Sequence, residues 1–301
     1  MKNHLSALWR KLFYSPYFFT IALRKRADSS ILSDPSFAAD YVIPATYRKW
    51  AADPILVDHE DKTYLFYEAV HKKKGRIEVV SIDAECRPSE PVVILEDACH
   101  YSYPFVFKHQ NEWYMIPESS ASEEVRLYKA TAFPYEWKLV SVLLRQKSVD
   151  TTVFSHNGVL YLLTYLINDG SERVVPQAYR MDWKTEIPTL KSIPWDAYNR
   201  LACRGAGPIF EADGRCIRPS QINEEQQYGN AVAFYEINVQ NSKYQESEIV
   251  RLSPESVKAK SFYLDGLHTY TQSAKFEAID IRCREFEAGK LLRVIKNKLC
   301  K

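Results

Sequence analysis

Apolar and polar positions recur along this chain as a strand–turn–strand unit. The unit starts at Asp53, Tyr103, Asp150 and Ala206, with a weaker copy at Asp265, so successive starts are 50, 47, 56 and 59 residues apart. Further apolar strands follow within most units and bring the number to about four in each. Repeats of this length and strand number are typical of propeller blades. The pattern therefore predicts an all-β fold, a five-bladed β-propeller.

Two positions within each unit differ in their chemistry. The eleventh residue after each start is a large apolar one, namely Tyr64, Tyr114, Tyr161, Ile217 or Phe276. The fifteenth residue is Glu68, Glu118, Tyr165, Gln221 or Asp280. Burying a polar group at the end of an apolar strand costs free energy unless it has a partner, and the innermost strands of a propeller start at its central channel. We therefore expect the starts and the fifteenth positions to face that channel, with strand ends in solvent as the alternative.

The two ends of the chain depart from the repeat. Residues 1–27 contain six Lys or Arg and no acidic residue, with apolar residues at helical spacing, and residues 290–301 are also basic and amphipathic. We predict a basic amphipathic helical N-terminal extension over residues 1–40, a propeller over 41–283 closed by a strand near Tyr41, and a basic C-terminal helix over 284–301. Such ends favour an anionic membrane surface as a partner; ordinary helices packed on the propeller are the alternative.

Composition narrows the class of protein. With 301 residues, of which 46% are hydrophobic, the chain can bury a large core as one domain, and its net charge of +2 excludes a general nucleic-acid footprint. The six cysteines form no CxxC pair, and the nine glycines form no nucleotide-binding motif, so we predict no metal site and no cofactor. The N-terminal stretch suits neither a membrane-spanning helix nor a cleaved signal peptide. We expect a cytoplasmic protein with reduced thiols, peripheral at the inner membrane face.

Carboxyl groups from three successive units are expected to converge at the channel mouth. Asp53, Glu118 and Asp150 are the predicted catalytic residues, with Glu68 beside them. Two convergent carboxyl groups, one protonated and one ionised, are what glycosidic chemistry requires. Burial and like-charge repulsion raise the pKa of at least one member of such a group. The pattern thus favours a reaction on a sugar.

Other side chains near the starts suit a sugar or a phosphate. Tyr103 offers an aromatic face, while Arg204 and Arg218 flank the fourth start and suit a phosphate or a carboxylate. The predicted substrate-binding residues are Glu68, Tyr103, Arg204, Arg218, Gln221 and His268. A salt bridge to a channel carboxylate is the alternative for each Arg, and a buried structural role is the alternative for His268.

Several strings, in this order, resemble a known family. WAADPILV, YSYPFVF, MIPESS, VRLYKA, VDTTVF and DGLHTY, between about residues 48 and 282, resemble the N-terminal propeller domain of glucosamine inositolphosphorylceramide transferases and its bacterial relatives. The order ADP, PES, DTT is more distantly similar to five-bladed hydrolases of glycoside hydrolase family 43. The second resemblance implies that Asp53 is a general base, Asp150 tunes a pKa and Glu118 is the acid. Together they imply glycan or glycolipid metabolism.

Three functions are compatible with these residues. We favour a glycosyltransferase-like enzyme of surface-polysaccharide or glycolipid biosynthesis that moves a sugar from a sugar nucleotide to a lipid-linked acceptor. In this hypothesis Asp53 deprotonates the acceptor hydroxyl, and Glu118 and Asp150 orient the sugar or tune that base. Arg204 or Arg218 holds the donor phosphate. The alternatives are a family 43-like glycosidase and a non-catalytic propeller that binds a glycan or scaffolds a partner enzyme.

Overall fold

Five antiparallel sheets form the blades of a propeller in the computed structural model, which describes residues 12–167, 174–185, 187–195, 204–223, 228–240, 243–259 and 263–287. The prediction of an all-β, five-bladed propeller is confirmed. Two short 3-10 helices, Ser120–Ser122 and Pro254–Ser256, interrupt the strands. The strands are β1 (Phe18–Lys25), β2 (Phe37–Ala38), β3 (Tyr41–Val42), β4 (Lys49–His59), β5 (Lys62–His71), β6 (Lys74–Ile82), β7 (Val92–Leu95), β8 (Ser102–His109), β9 (Glu112–Glu118), β10 (Val125–Ala132), β11 (Glu136–Leu144), β12 (Ser148–His156), β13 (Val159–Ile167), β14 (Val174–Asp182), β15 (Thr189–Ile193), β16 (Arg204–Gly205), β17 (Phe210–Ala212), β18 (Arg215–Ile222), β19 (Ala231–Gln240), β20 (Lys243–Leu252), β21 (Val257–Lys258), β22 (Tyr263–Gln272) and β23 (Phe276–Arg284).

The blades follow one another in chain order, apart from the last. With the innermost strand first, blade I is β4–β5–β6–β7, blade II is β8–β9–β10–β11 and blade III is β12–β13–β14–β15. Blade IV is β16–β18–β19–β20, with β17 also paired to β18, and blade V is β22–β23–β1–β3. The short strands β2 and β21 pair in parallel outside the blades. Blade V is therefore assembled from both ends of the described chain.

The hydrophobic core lies between neighbouring blades. Phe66 of blade I, for example, packs in one cluster with Met115 of blade II, and comparable clusters fill the other gaps between blades. The large apolar residues of the eleventh position lie in these gaps, four of them buried and Tyr161 partly buried. Burying such a side chain stabilises the fold by about 1.5–3 kcal/mol. The eleventh position stays large and apolar because its side chain packs into the hydrophobic cluster between neighbouring blades.

The N-terminal segment closes the ring, which corrects one expectation. All eight residues of β1 pair with β23, from Phe18 opposite Cys283 to Lys25 opposite Phe276. Phe18 and Ala22 face blade IV, whereas Ile21 and Leu23 face blade I. This alternation, apolar on both faces, is that of a strand buried between two layers. The prediction of a helical extension is therefore wrong for residues 18–40.

The predicted closing strand near Tyr41 exists but has a smaller role than expected. It is β3, which pairs with β1 at the outer side of blade V through only two residue pairs. At the other end of the chain, Arg284 is the last residue of β23 and Phe286 bridges to Tyr14, so residues 284–287 do not begin a helix. The remainder of the predicted terminal helices, residues 1–11 and 288–301, lies outside the described residues. Within the described residues, no helix is long and apolar enough to span a bilayer.

Gly207 lies where the axial end of blade IV meets blade V, and it has no room for a side chain. Its φ is +126°, and a Cβ would lie 1.9 Å from the carbonyl oxygen of Tyr270. We expect Gly207→Ala to lower the free energy of unfolding by about 2–3 kcal/mol, through strain and overpacking. Urea denaturation measures the loss.

A matched control separates the two causes of that loss. Gly214 also has a positive φ, +71°, but a Cβ there would meet nothing within 4 Å. Gly214→Ala should therefore cost only the backbone term of about 1 kcal/mol. Equal losses for the two variants would contradict the close contact with Tyr270.

Candidate functional site

The inner strands of blades I, II, III and V each carry a bulge where they reach the axis. The pairing of β4 with β5 shifts at Asp53, that of β8 with β9 at Tyr103, and that of β12 with β13 at Asp150. These residues have φ of 52°, 40° and 51°, the left-handed region. A bulge takes its residue out of the ladder, so its backbone N–H needs another partner. In blade V the pairing of β22 with β23 shifts twice, at the predicted start Asp265 and again at His268 and Thr269, and it is His268 that lines the axial end.

Side chains of the preceding blade accept the freed N–H groups of blades I, II and III. The links are Asp53 N to Asp280 Oδ2 at 3.0 Å, Tyr103 N to Asp53 Oδ2 at 3.1 Å and Asp150 N to Glu118 Oε2 at 3.2 Å. In addition, Gly207 N of blade IV donates to the Tyr103 hydroxyl of blade II at 3.0 Å. Burying an unpaired N–H would cost about 1–3 kcal/mol. The polar residues at the axis therefore hold the ring together, whatever chemistry they perform.

An open cavity of about 270 Å³ lies at the axial end of the inner strands. It brings together five of the predicted site residues, Asp53, Glu68, Glu118, Arg204 and His268. The other lining residues are Phe19, Trp50, Ala52, His100, Ser102 and Tyr228. A concave site with aromatic walls and a few converging charged groups suits a small ligand such as a sugar. We call it the axial cavity.

Asp53 and Glu118 have perturbed acidities in this cavity. Burial raises the pKa of Asp53 to about 7, against the opposing charge of His268 and with added repulsion from Glu68. Burial and the neighbouring Asp150 raise the pKa of Glu118 to about 8, although Arg204 opposes the shift. At neutral pH Glu118 is therefore mostly protonated, while Asp53 is divided between its two forms. The pair offers a proton donor and a proton acceptor in one cavity.

His268 lies between two carboxylates. Its Nδ1 is 2.6 Å from Asp280 Oδ2 and its Nε2 is 3.4 Å from Asp53 Oδ1. Burial lowers the pKa of His268, but Asp280 and then Asp53 outweigh this and raise it to about 9. The His268 side chain is thus protonated and positively charged at neutral pH. Its charge limits how far the pKa of Asp53 rises.

The same three residues are the group in the described chain that could hold a metal ion. The ligand atoms of Asp53, His268 and Asp280 lie within 4.8 Å of one another. However, Asp280 accepts the N–H groups of His268 and Thr269, and Asp53 accepts the Thr269 hydroxyl. These hydrogen bonds use part of the acceptor capacity of the two carboxylates, and the absence of a metal stays a prediction.

Asp150 lies behind the cavity and is paired with Arg204. The guanidinium binds the carboxylate through two bonds, Nε to Oδ2 at 2.6 Å and Nη2 to Oδ1 at 2.9 Å, and its Nη2 lies 3.5 Å from Glu118 Oε2. Arg204 thus adopts the salt bridge that sequence reasoning kept as its alternative role. Gln221 donates to the Gly205 carbonyl at 2.8 Å and lies 3.5 Å from Asp150. Asp150 and Gln221 are therefore not among the residues that line the axial cavity.

Tyr103 and Arg218 are not brought into the axial cavity. Tyr103 is fully buried, and its hydroxyl is engaged by Thr152 at 3.0 Å and by the Gly207 N–H, so its ring is not available for stacking on a sugar. Arg218 is also buried, and it binds Glu246 at 2.8 and 2.9 Å and the Tyr165 hydroxyl at 3.0 Å. With its donors used in this way, Arg218 has no free face for a substrate. Its partner is Glu246, which is not one of the channel carboxylates.

Sequence reasoning missed several lining residues that have a recognisable signal. Trp50 and His100 each precede a unit start by three residues, and Ala52 and Ser102 each precede one by a single residue. Alternate residues of a strand share a face, so these positions point to the cavity together. His100 Nε2 lies 2.7 Å from Glu68 Oε1, and this hydrogen bond raises the pKa of His100. Phe19 was missed because its segment was assigned to the extension.

Comparison with known proteins agrees with this architecture. The family model described as glucosamine inositolphosphorylceramide transferase 1, N-terminal, matches residues 23–275. The rice (japonica) protein glucosamine inositolphosphorylceramide transferase 1 is 31% identical over 222 residues, which are 69% of this chain and 29% of the rice protein. The Arabidopsis thaliana protein of the same name is 30% identical over 213 residues, 66% of this chain and 27% of that protein. The chain thus spans less than a third of the length of these relatives.

Several solved structures of glycosidases have the same fold. A Bombyx mori GH32 β-fructofuranosidase has a TM-score of 0.56 at 14% identity, covering 76% of this chain and 56% of that one. The catalytic domain of a Coprinopsis cinerea GH62 α-L-arabinofuranosidase has a TM-score of 0.56 at 9% identity, covering 88% and 97%. At these identities the likeness establishes the fold alone. The family match covers most of the chain, and the protein therefore belongs to the family of the N-terminal domain of glucosamine inositolphosphorylceramide transferase 1.

Proposed function

We propose that this protein is a glycosyltransferase-like enzyme of surface-polysaccharide or glycolipid biosynthesis, with the axial cavity as its active site. The proposed reaction moves a sugar from a sugar nucleotide to a hydroxyl of a lipid-linked acceptor. One observation carries the proposal: the axial cavity brings the Asp53 and Glu118 carboxyl groups together, each beside a cationic side chain, and burial raises the pKa of both. Membership of a family named for a transferase agrees with it.

Asp53 acts as the general base in this proposal. The Tyr103 N–H and the Thr269 hydroxyl each donate to one of its oxygens, which fixes the carboxylate in orientation. The imidazolium of His268, 3.4 Å away, stabilises the ionised form. A base with a pKa near the working pH is both available and strong enough to take the proton of an acceptor hydroxyl.

Glu118 acts as a hydrogen-bond or proton donor to the sugar. Its protonated form persists at neutral pH because burial and the negative charge of Asp150 disfavour ionisation. Arg204 holds Asp150 in a two-bond pair and lies 3.5 Å from Glu118, so it positions both carboxyl groups. We assign Arg204 this positioning role in place of a free phosphate clamp.

We further propose that the protein works at the cytoplasmic face of the inner membrane. The support is the basic amphipathic character of the sequence in residues 1–27 and 290–301. Most of these residues lie outside the described part of the chain. A peripheral position would bring the axial cavity to a lipid-linked acceptor.

Hydrolysis by a family 43-like mechanism is the second candidate. A protonated carboxyl group beside an ionised one is also the donor and acceptor pair of glycosidases. The two candidates differ in their products. A transferase consumes a sugar nucleotide and requires an acceptor, whereas a glycosidase releases sugar from an aryl furanoside or pyranoside with no nucleotide present.

The pH dependence of the reaction tests the roles of the two carboxyl groups. Asp53 works when ionised, so kcat/KM should rise as the pH passes about 7. Glu118 works when protonated, so kcat/KM should fall as the pH passes about 8. We expect a narrow bell-shaped profile with its maximum between these values. The rate is measured as the consumption of each member of a panel of sugar nucleotides, with a membrane lipid extract as acceptor. A profile of kcat/KM that is flat from pH 6 to pH 9 would refute the roles of Asp53 as base and Glu118 as donor.

A further inference from the structure

A second cavity of about 660 Å³ opens beside the axial cavity in blade I. Trp50 and His100 line both cavities, so the two are neighbours that share part of their walls. The wall of the second cavity is mostly apolar, but six of the nine described residues that line it are basic and none of the nine is acidic. The basic ones are Arg48, Lys49, His71, Lys72, Lys73 and His100, and we call this surface the basic groove.

His100 of the basic groove is paired with Glu68 at 2.7 Å, whereas the charges of its Lys and Arg side chains are not neutralised within the described part of the chain. Arg48, Lys49, Lys72 and Lys73 are exposed, and in the residues described none of them forms an ion pair with a carboxylate. Elsewhere, Arg204 and Arg218 are fully paired. The whole chain has a net charge of only +2, so this concentration of cations is local. Such a field attracts an anion.

The turn that carries two of these lysines has both residues in the left-handed region. Lys72 and Lys73 are the two residues between β5 and β6, with φ of 52° and 69°. A two-residue hairpin with both φ values positive favours Asn-Gly or Asp-Gly. The β12–β13 and β17–β18 hairpins have Asn157-Gly158 and Asp213-Gly214, whereas the β8–β9 hairpin has Gln110-Asn111, with φ of 47° and 68°. Residues with a Cβ therefore occupy such a turn elsewhere in this propeller, and what distinguishes Lys72-Lys73 is that the turn places two exposed cations side by side.

We propose that the basic groove binds the phosphate or diphosphate of the glycosyl substrate whose sugar occupies the axial cavity. The inference rests on the proposed function, and it names the part of the site that recognises phosphate. Four cations without a carboxylate partner are enough to neutralise the two or three negative charges of a glycosyl diphosphate, whereas the axial arginines are already used by carboxylates. Trp50, at the junction, is placed to contact both parts of one ligand.

Inorganic pyrophosphate is the probe for the first test. We expect the wild-type chain to bind it saturably in isothermal titration, and the double variant Lys72→Asn/Lys73→Gly to bind it at least about tenfold more weakly. That variant removes two charges but installs a favourable turn, so its melting temperature should equal or exceed that of the wild type. The matched control Lys138→Gln/Lys191→Gln removes two exposed charges from blades II and III and should keep wild-type affinity.

A second arm distinguishes the source of the phosphate. Sedimentation with phosphatidylcholine vesicles containing phosphatidylinositol is compared with phosphatidylcholine alone. Vesicle binding that pyrophosphate displaces, and that the Lys72→Asn/Lys73→Gly variant lacks, assigns the phosphate to a lipid headgroup. Pyrophosphate binding without vesicle binding assigns it to a soluble glycosyl diphosphate. Wild-type affinity of this variant for both probes, or no binding of the wild type to either, would overturn the proposal.

The binding of pyrophosphate can be measured independently of catalysis. Asp53 lies in the axial cavity and not in the basic groove. Asp53→Asn should therefore keep its affinity for pyrophosphate even if it loses turnover. Pyrophosphate binding by a wild type that turns over no sugar nucleotide would refute the proposed function and keep the basic groove, whereas turnover by a wild type that binds no pyrophosphate would refute the basic groove alone.

Discussion

Replacing Asp53 by Asn is expected to lower kcat/KM for glycosyl transfer by about 10²–10⁴-fold, the usual contribution of a general base. The amide cannot accept the proton of the acceptor hydroxyl. It can still accept the Tyr103 N–H, which is 3.1 Å from Asp53 Oδ2, so the link between blades I and II persists. The free energy of unfolding should therefore change much less than the rate.

The assay for Asp53 compares turnover and urea denaturation of the same preparations. Asp61→Asn is the matched control, because Asp61 is an exposed carboxyl in the β4–β5 turn of the same blade. It should keep wild-type turnover. Equal turnover by Asp53→Asn would remove its role as base. A fall in activity that only follows a loss of folded protein would leave Asp53 a purely structural acceptor.

Replacing Arg218 by Met is expected to lower the free energy of unfolding by about 3–5 kcal/mol, as breaking a buried ion pair does. Arg218 and Glu246 are 2% and 3% exposed, and two hydrogen bonds join them. The guanidinium also lies 5.8 Å from the ring centre of Trp195 and 5.2 Å from that of Tyr235. Without it the Glu246 charge stays buried with no cation, and the Tyr165 hydroxyl loses its donor.

Two comparisons make the Arg218 prediction specific. The double variant Arg218→Met/Glu246→Gln should recover part of the loss, because no unpaired charge remains. Arg251→Met removes the cation of a partly exposed pair with Glu248 and should cost no more than about 1 kcal/mol. If Arg218→Met were as stable as the wild type and failed to turn over substrate, Arg218 would bind substrate, as the sequence first indicated.

Much of the site was recognisable from the repeat because it occupies repeated positions. Asp53, Glu68 and Glu118 lie at a start or a fifteenth position, and all three line the axial cavity. The same logic placed the fifth start at Asp265, where the pairing of β22 does shift, but Asp265 binds Arg282 and Arg284 through 2.7 and 3.2 Å contacts and does not line the cavity. The second shift of the same strand, at His268 and Thr269, is the one beside the axial cavity. Register in a strand depends on its partner, which the repeat does not specify.

The partners of the charged side chains could not be read from local sequence. Asp280 accepts the N–H of Asp53, 227 residues away, across the junction of the last and first blades. Arg218 pairs with Glu246 and Arg204 with Asp150, whereas the sequence assigned one or the other to a donor phosphate and kept a salt bridge as the alternative for each. An arginine near a polar cluster has the same sequence signature in either role. Only the position of the opposing carboxylate decides between them.

The sequence by itself determined the number of blades, the apolar residues between them and the carboxyl groups that meet at the axis. These follow from strand periodicity, which is local and repeats with each unit. The tertiary structure alone decided that β1 closes the ring, that His268 lies between Asp53 and Asp280, and that the basic groove adjoins the axial cavity. Each of these depends on residues that are distant in the chain and become neighbours only when the ring closes, so no local pattern encodes them.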